Sequence, residues 1–383
     1  MEFLFSEDQS MIAEAARDFA RDALAPGAEE RDENRSFPLE EIKQAGELGL
    51  LAINLPEELG GAGLDTLSLA LVIKEISKED PASGAVLATM NGCFNEALLK
   101  FGSDEMKESL LSRAATGEIL TCHASTEEVG PDPDIPLVTT YRVEGDQYVL
   151  VGEKSFVSNA RCADYALVLA CDVNSNSDPV LTYFVVDMKA DGVSISREWE
   201  TLGQTASDVC SIRFEDVRLK ADAIVGEEGK GGEVFEHIMD YWRILIAAQG
   251  WGITEKMYEA GAQYAGERVQ FGRQIGKFQA IQGMIADNYA DAMICQSVAV
   301  NAAMRRDSGL DCHVQGCAAK LICSEAAFRT ADRSTQIFGG YGFSREYPTQ
   351  RYYRDAKGLG IYGKTSEQIR VSLGMTGLKE KKF

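Results

Sequence analysis

The stretch YRVEGDQYVLVGEKSFVSN, residues 141–159, decides the architecture of this chain. It is rich in β-branched and aromatic residues, and Glu144-Gly145-Asp146 divides it as a tight turn divides two strands. A second cluster of turn-forming residues occupies positions 174–178. The other β-rich runs before residue 225 are YALVLACDV, VLTYFVVDM, VSISREW and VCSIRFEDVRL. Together these runs predict an antiparallel sheet or barrel of roughly 100 residues.

Helical patterns lie on both sides of this β-rich region. Ser6 and Gln9 predict a capping box that begins the first helix. A glycine-rich loop at residues 55–65 interrupts the helices before the sheet, and QFGRQIGKF and IFGGYGFSREYP interrupt those after it. The predicted fold class is α+β, with a helical N-terminal domain at residues 1–118, a middle β-domain at 119–225 and a helical C-terminal domain at 226–383.

Composition and charge exclude several classes of function. The net charge of −22 would repel nucleic acids and anionic membranes, so we expect neither as a partner. The N-terminus lacks the basic and apolar regions of a signal peptide, and no apolar run approaches the roughly 18 residues that span a bilayer. The nine cysteines form no CxxC pair and the chain has three histidines, which disfavours a zinc site. We therefore expect a cytoplasmic protein with reduced thiols and no metal.

Five segments carry residue types that suit a bound cofactor. They are Thr121–Glu127, Lys154–Asn159, Arg268–Gly272 with Phe278-Gln279, Gln336–Gly342, and Tyr353–Lys357 leading to IYGKTSE at 361–367. In type, order and spacing they resemble the acyl-CoA dehydrogenases, and the likeness covers nearly the whole chain. The resemblance implies that family's fold, with a C-terminal four-helix bundle. It also implies FAD, an acyl-CoA substrate, a homotetramer and electron transfer to an electron-transfer flavoprotein.

The resemblance also assigns residues to each part of FAD. A flavin needs an apolar slot for its ring, hydrogen-bond partners at the ring edge and cations at its pyrophosphate. The residues implied at the ring are Ser125, Thr126 and Ser158, with Phe156 where the family has a tryptophan. Those implied at the pyrophosphate and adenosine, partly from a neighbouring subunit, are Arg268, Gln270, Phe271, Gln336, Gly339, Gly340, Thr365 and Glu367.

Asp240 and Arg243 lie three residues apart and therefore on one face of a helix. They match a pair that contacts coenzyme A in the family, although a structural ion pair explains the same spacing. The flavin loop departs from the family pattern after Glu127, because it is one residue shorter and has Pro131 where a serine is usual. The thioester contact of that serine is therefore in doubt.

The usual catalytic base is missing from this sequence. Dehydrogenation needs a carboxylate that is close to the substrate proton and partly desolvated, which raises its pKa. Most relatives place this glutamate where this chain has Gly363, and a second branch places it where the chain has Trp242. Gly363 predicts extra space beside the flavin for a bulkier ring substrate. Lys364 predicts a cation near the flavin or the thioester.

Three explanations for the missing base remain open. The base position has moved to residue 91, as in relatives acting on alicyclic thioesters such as cyclohexane- or cyclohex-1-ene-1-carboxyl-CoA, although Asn91 carries an amide. An Asp-to-Asn exchange would silence such a base with little other change. Glu96, the nearest carboxylate, is expected on a helix surface. Alternatively, the chain catalyses another reaction, as 3-sulfinopropionyl-CoA desulfinases do, or it binds flavin without catalysis.

Overall fold

The computed structural model of this chain describes residues 5–128, 137–175 and 179–380. Pro131 and the end of the turn cluster at residues 174–178 lie outside these described ranges, so the predictions made for them have no structural counterpart here. The architecture is mixed α and β, as predicted, with helices before and after a middle sheet.

The N-terminal helices pack around two buried helices, α4 and α5. Ser6 and Gln9 form the predicted capping box, each side chain accepting from the other residue's backbone N–H. Asp65 and Asp80 cap the two most buried helices, α4 and α5, by accepting from backbone N–H groups of their first turns. The helices are α1 Glu7–Phe19, α2 Ala28–Asn34, α3 Leu39–Glu47, α4 Thr66–Glu79, α5 Pro81–Thr89, α6 Glu96–Phe101, α7 Asp104–Met106 and α8 Ser112–Ala115.

The middle sheet has the strand order β6-β7-β3-β2-β4-β5-β8, and β1 pairs with β4. The strands are β1 Thr121–Ala124, β2 Thr140–Glu144, β3 Gln147–Val157, β4 Tyr165–Asp172, β5 Leu181–Asp187, β6 Val193–Glu198, β7 Cys210–Lys220 and β8 Ile224–Val225. The prediction of a purely antiparallel sheet is wrong, because β4 runs parallel to both β1 and β2. β7 pairs with the edge of β3 that β2 leaves free. β4 therefore pairs with β2, and these two strands run in the same direction.

The C-terminal helices surround the long central helix α9. They are α9 Gly231–Glu267, α10 Gln279–Asp307, α11 His313–Phe338, α12 Thr349–Leu359 and α13 Ser366–Glu380, with a small hairpin of β9 Val269–Gln270 and β10 Arg273–Gln274 after α9. Helix α9 packs against α4, α10, α11 and α12, so it joins the N-terminal and C-terminal helices. In the described part of the chain, no helix is long and apolar enough to cross a membrane.

Candidate active site

The structure brings the predicted ring-contact residues to two strand ends that lie together. Ser125 and Thr126 directly follow β1, and Ser158 directly follows β3. The backbone N–H of Ser155 donates to the carbonyl of Thr126 at 2.8 Å, which ties the two strand ends to each other. Hydroxyl and backbone groups from both ends can therefore reach one ligand, as the prediction requires.

A buried ion pair underlies this arrangement. The Lys154 Nζ atom lies 2.7 Å from Glu127 Oε1, and both side chains are almost fully buried. Lys154 also donates to the carbonyl of Ser125, while Glu127 accepts from the backbone N–H groups of Val138 and Thr139. Burial lowers the pKa of Lys154 to about 8, although Glu127 acts in the opposite direction. Sequence reasoning did not pair these residues; a lysine and a glutamate within β-rich segments were the available signal.

Phe156 is held in a conformation that exposes its ring. Its φ of 54° is in the left-handed region, and the side chain is 51% exposed. The ring stacks on Trp199 with centroids 4.1 Å apart. A large aromatic ring held in this way between β3 and solvent suits the predicted cover for a flavin face, which stays a prediction.

A separate pocket collects most of the residues predicted for the pyrophosphate and adenosine. Its volume is about 660 Å³, and the predicted residues that line it are Arg268, Gln270, Phe271, Gly339 and Gly340. Arg268 lies between α9 and β9, Gln270 and Phe271 lie in the β9–β10 hairpin, and the two glycines lie in the turn after α11. Gln336 is exposed and does not line this pocket, and neither do the ring-contact residues.

The other two predicted FAD residues lie at the start of α13. Thr365 and Gln368 form a reciprocal cap, in which the Thr365 N–H donates to Gln368 Oε1 at 3.0 Å and Thr365 Oγ1 accepts from the Gln368 N–H at 3.2 Å. Glu367 is exposed beside them. A ligand that binds the Thr365 hydroxyl would therefore share it with the helix cap.

Asp240 and Arg243 form the expected i,i+3 ion pair, with 3.0 Å between Oδ1 and Nη1. The Nδ1–H of His313 donates to the same Oδ1 at 2.7 Å, a partner that sequence reasoning missed. The guanidinium of Arg243 is fully buried; its Nε donates to the carbonyl of Gly363 at 3.3 Å, and its Nη2 has no partner among the described residues. The structure thus supports the structural role of the pair and leaves one buried donor for a ligand.

The same cluster holds a carboxylate of Glu236, whose ligand atom lies within 4.8 Å of those of Asp240 and His313. Both carboxylates already form ion pairs with basic side chains. Arg243 pairs with Asp240, and the Nζ of Lys364 lies 3.5 Å from Glu236. Their charges disfavour a metal ion between them. Lys364 itself has a φ of 74°, in the left-handed region that non-glycine residues rarely adopt.

The two positions where relatives carry the base meet in this structure. A Cβ on Gly363 would lie 3.9 Å from Trp242 Cε3 and 2.5 Å from Ile246 Cδ1. The prediction that Gly363 opens space is therefore wrong, because Ile246 and the indole of Trp242 fill the volume beside it. The indole stacks on Tyr362 with centroids 5.8 Å apart and meets His123 edge-on at 6.3 Å.

Asn91 lies in the segment that packs on the aromatic wall formed by Trp242 and Tyr362. It is fully buried within a wide helical turn, Met90–Asn95, and its Nδ2 donates to the carbonyl of Leu87 at 3.0 Å. Its Oδ1 has no partner among the described residues, and neither does the buried Nε1 of Trp242. The next residue, Gly92, packs so closely that a Cβ there would lie 3.2 Å from Trp242 Cδ1.

The expectation that Glu96 lies on a helix surface is wrong. Its side chain is only 6% exposed, and its Oε1 lies 2.6 Å from His237 Nε2 and 2.5 Å from Arg306 Nη2. An amphipathic pattern cannot show that α9 and α10 cover this position. Because Glu96 is bound to these partners, it is not a free carboxylate for proton transfer.

Comparison with known proteins completes this picture. Family models match three consecutive regions: the N-terminal domain of acyl-CoA dehydrogenases at residues 6–118, the middle domain at 122–217 and the C-terminal domain at 229–377. The chain belongs to the acyl-CoA dehydrogenase family. Members of this family are FAD-dependent oxidoreductases that act on CH–CH groups of acyl-CoA thioesters.

Individual relatives match over nearly their full length. The human mitochondrial short-chain specific acyl-CoA dehydrogenase is 35% identical over 95% of this chain and 89% of its own. Butyryl-CoA dehydrogenase from Megasphaera elsdenii has a TM-score of 0.95 at 31% identity, covering 99% of this chain and 100% of that one. A chain in a structure of the electron transferring flavoprotein of Acidaminococcus fermentans has a TM-score of 0.96 at 34% identity, covering 99% and 100%. These matches confirm the predicted fold of this acyl-CoA dehydrogenase family member.

Proposed function

We propose that this chain binds FAD and the CoA thioester of a compact alicyclic acid, such as cyclohexane- or cyclohex-1-ene-1-carboxyl-CoA. The observation that carries the proposal is the full burial of Asn91 with its Oδ1 unpartnered, directly before Gly92, which packs on the indole of Trp242. Position 91 is therefore the base position of this site, here in its amide form.

The residues present fit FAD in two parts. Hydroxyl groups and the exposed ring of Phe156 would hold the flavin ring, and Arg268 with Gln270 would hold the pyrophosphate from the separate 660 Å³ pocket. When bound, FAD supplies an acceptor for a hydride. Because the two sets of residues line different places on one chain, a homotetramer in which neighbouring subunits complete each site is part of the proposal.

The acyl site itself is shaped by Trp242, Ile246 and Tyr362. The flat indole and the filled volume beside Gly363 favour a compact ring over a long flexible chain. Arg243 fixes the carbonyl of Gly363, so it holds the loop that faces the substrate. The amide of Asn91 can hydrogen-bond but cannot take up a proton, so proton abstraction from this position needs its carboxylate form.

Electrons from a competent site would pass to an electron-transfer flavoprotein. Support comes from the similar chain in the Acidaminococcus fermentans structure, which concerns an electron transferring flavoprotein. No other redox group is needed for this transfer. The cytoplasmic location expected from the sequence remains part of the same proposal.

A desulfinase-type reaction is the second function considered. It would need a cation near the acyl group to hold the sulfinate, and residues 82–96 contain no arginine or lysine. Arg306 reaches this segment, but it is bound to Glu96. Because the charge of Arg306 is already paired with Glu96, it does not favour a sulfinate over a neutral ring. Retention of the flavin segments disfavours a non-catalytic scaffold.

Thioester selectivity tests the proposed substrate class. We expect cyclohex-1-ene-1-carboxyl-CoA to perturb the flavin spectrum of the native protein and to bind at least about tenfold more tightly than octanoyl-CoA, because the wall excludes a long chain. Difference spectra at increasing thioester concentration give both dissociation constants. Equal or weaker binding of the ring thioester would discard the alicyclic class, and sulfite release from 3-sulfinopropionyl-CoA would establish the desulfinase reaction instead.

A further inference from the structure

The loop at residues 204–208, between β6 and β7, is held in an unusual conformation. Gln204 and Asp208 have φ values of 50° and 52°, in the left-handed region that non-glycine residues rarely adopt. Both residues are buried. A loop with two such residues persists only when surrounding contacts hold it, and such places often have a functional role.

One set of contacts joins this loop to the acyl site. Gln204 Nε2 donates to the hydroxyl of Tyr362 at 3.1 Å, and that hydroxyl donates to Gln249 Oε1 at 3.0 Å. The backbone N–H of Gln204 also donates to the buried carboxylate of Asp355. Because Tyr362 precedes Gly363 and stacks on Trp242, its hydroxyl contacts fix the orientation of the aromatic wall.

A second set joins the same loop to the turn predicted at the flavin ring. The backbone N–H of Asn159, directly after Ser158, donates to the carbonyl of Ser207 at 3.0 Å. Ser207 Oγ in turn donates to the carbonyl of Gln204 at 2.7 Å. The N–H of Arg161 donates to Asp208 Oδ2 at 3.0 Å. The loop thus contacts both the turn at Ser158-Asn159 (the flavin turn) and the aromatic wall of Trp242 and Tyr362 (the acyl wall).

We propose that Gln204 is a positioning residue that sets the acyl wall relative to the flavin turn through its hydrogen bond to Tyr362. The proposal rests on the proposed function, since it concerns the geometry of the same site. In this role Gln204 acts through Tyr362 and not directly on a ligand. Gln204 belongs to the middle domain and Tyr362 to the C-terminal domain. Their hydrogen bond therefore joins the domain that carries the flavin turn to the domain that carries the acyl wall.

The hydrogen bond can be removed from either side without a large change in volume. We expect Gln204→Leu and Tyr362→Phe each to weaken binding of cyclohex-1-ene-1-carboxyl-CoA about tenfold, while FAD is retained. Both should alter the visible circular dichroism of the flavin in the same way. Each variant also removes a bond of its own, Gln204 Nε2 to the Asp355 carbonyl or the Tyr362 hydroxyl to Gln249 Oε1. The double variant should nevertheless lose clearly less affinity than the two single losses combined, because both single variants remove the same Gln204–Tyr362 hydrogen bond.

Thr205→Val is the matched control. Thr205 lies in the same loop, but its hydroxyl donates to Asp32 of the N-terminal domain at 2.8 Å and has no bond to Tyr362. We expect this variant to keep native thioester binding and native flavin dichroism, even if its melting temperature falls. Additive effects of the two single variants, or unchanged binding in Gln204→Leu, would overturn the positioning role. Failure of the native protein itself to bind any thioester would instead overturn the proposed function, and with it this inference.

Discussion

The Asn91→Asp variant is expected to lose its oxidised-flavin absorption band anaerobically when cyclohexane-carboxyl-CoA or cyclohex-1-ene-1-carboxyl-CoA is added. A carboxylate at this position can take up a proton from the acyl ring, and bound FAD would accept the hydride that leaves another ring carbon. Full burial of position 91, where the Asn91 Oδ1 has no recorded hydrogen-bond partner, should raise the pKa of the new carboxyl group and make it an effective base near neutral pH. A general base contributes about 10²–10⁴-fold to a rate, so the difference from the native protein should be large.

Asn95→Asp is a matched control for this experiment. Asn95 lies in the same wide turn, is fully buried and also has an unpartnered Oδ1, but its Nδ2 donates to the carbonyl of Leu51 in the N-terminal domain. The exchange adds the same charge one turn away from position 91. Bleaching by the Asn95 variant, or by neither variant, would show that position 91 is not the base position.

Lys154→Met is expected to give the largest loss of stability. It leaves the carboxylate of Glu127 buried without its cation, and breaking one side of a buried ion pair costs about 3–5 kcal/mol. The variant should also release FAD more readily, because Lys154 holds the carbonyl of Ser125 beside the predicted ring contacts. Calorimetric melting temperature and the fraction of FAD retained after gel filtration measure both effects.

Two further variants separate burial from charge. Lys189→Met removes an ion pair with Asp164 on the surface of the same domain, where the lysine side chain is 79% exposed, and should lower the melting temperature far less than Lys154→Met, because solvent screens the pair. Combining Lys154→Met with Glu127→Gln should recover part of the stability, since no unpaired charge remains. If Lys154→Met melts at the same temperature as Lys189→Met, the buried pair does not stabilise the flavin turn.

Local patterns in the sequence predicted much of the fold. The capping box of Ser6 and Gln9 and the turn at 144–146 depend on residues within a few positions, and both were predicted correctly. The parallel pairing of β2 with β4 was not, because it depends on β7 occupying the far edge of β3. Strand direction in a sheet is a property of the whole chain, and alternation of residue types along one strand does not contain it.

The site shows the same limit in side chains that meet across domains. The spacing of Asp240 and Arg243 predicted their ion pair, because both lie on one helix. Ile246 beside Gly363 was not predicted, because the absence of a glutamate does not show which neighbour fills the space. The burial of Glu96 was likewise hidden, since it depends on contacts with His237 and Arg306 from later helices.

The absorption spectrum of the native protein, recorded before and after anaerobic addition of cyclohex-1-ene-1-carboxyl-CoA, tests the central claim most directly. The claim is that the site holds FAD and a thioester but lacks a proton acceptor at positions 91, 242 and 363. We predict a yellow protein whose oxidised-flavin band shifts on addition of the thioester and is not bleached. A folded but colourless protein would contradict the flavin site, and rapid bleaching of the native protein would contradict the absence of a base.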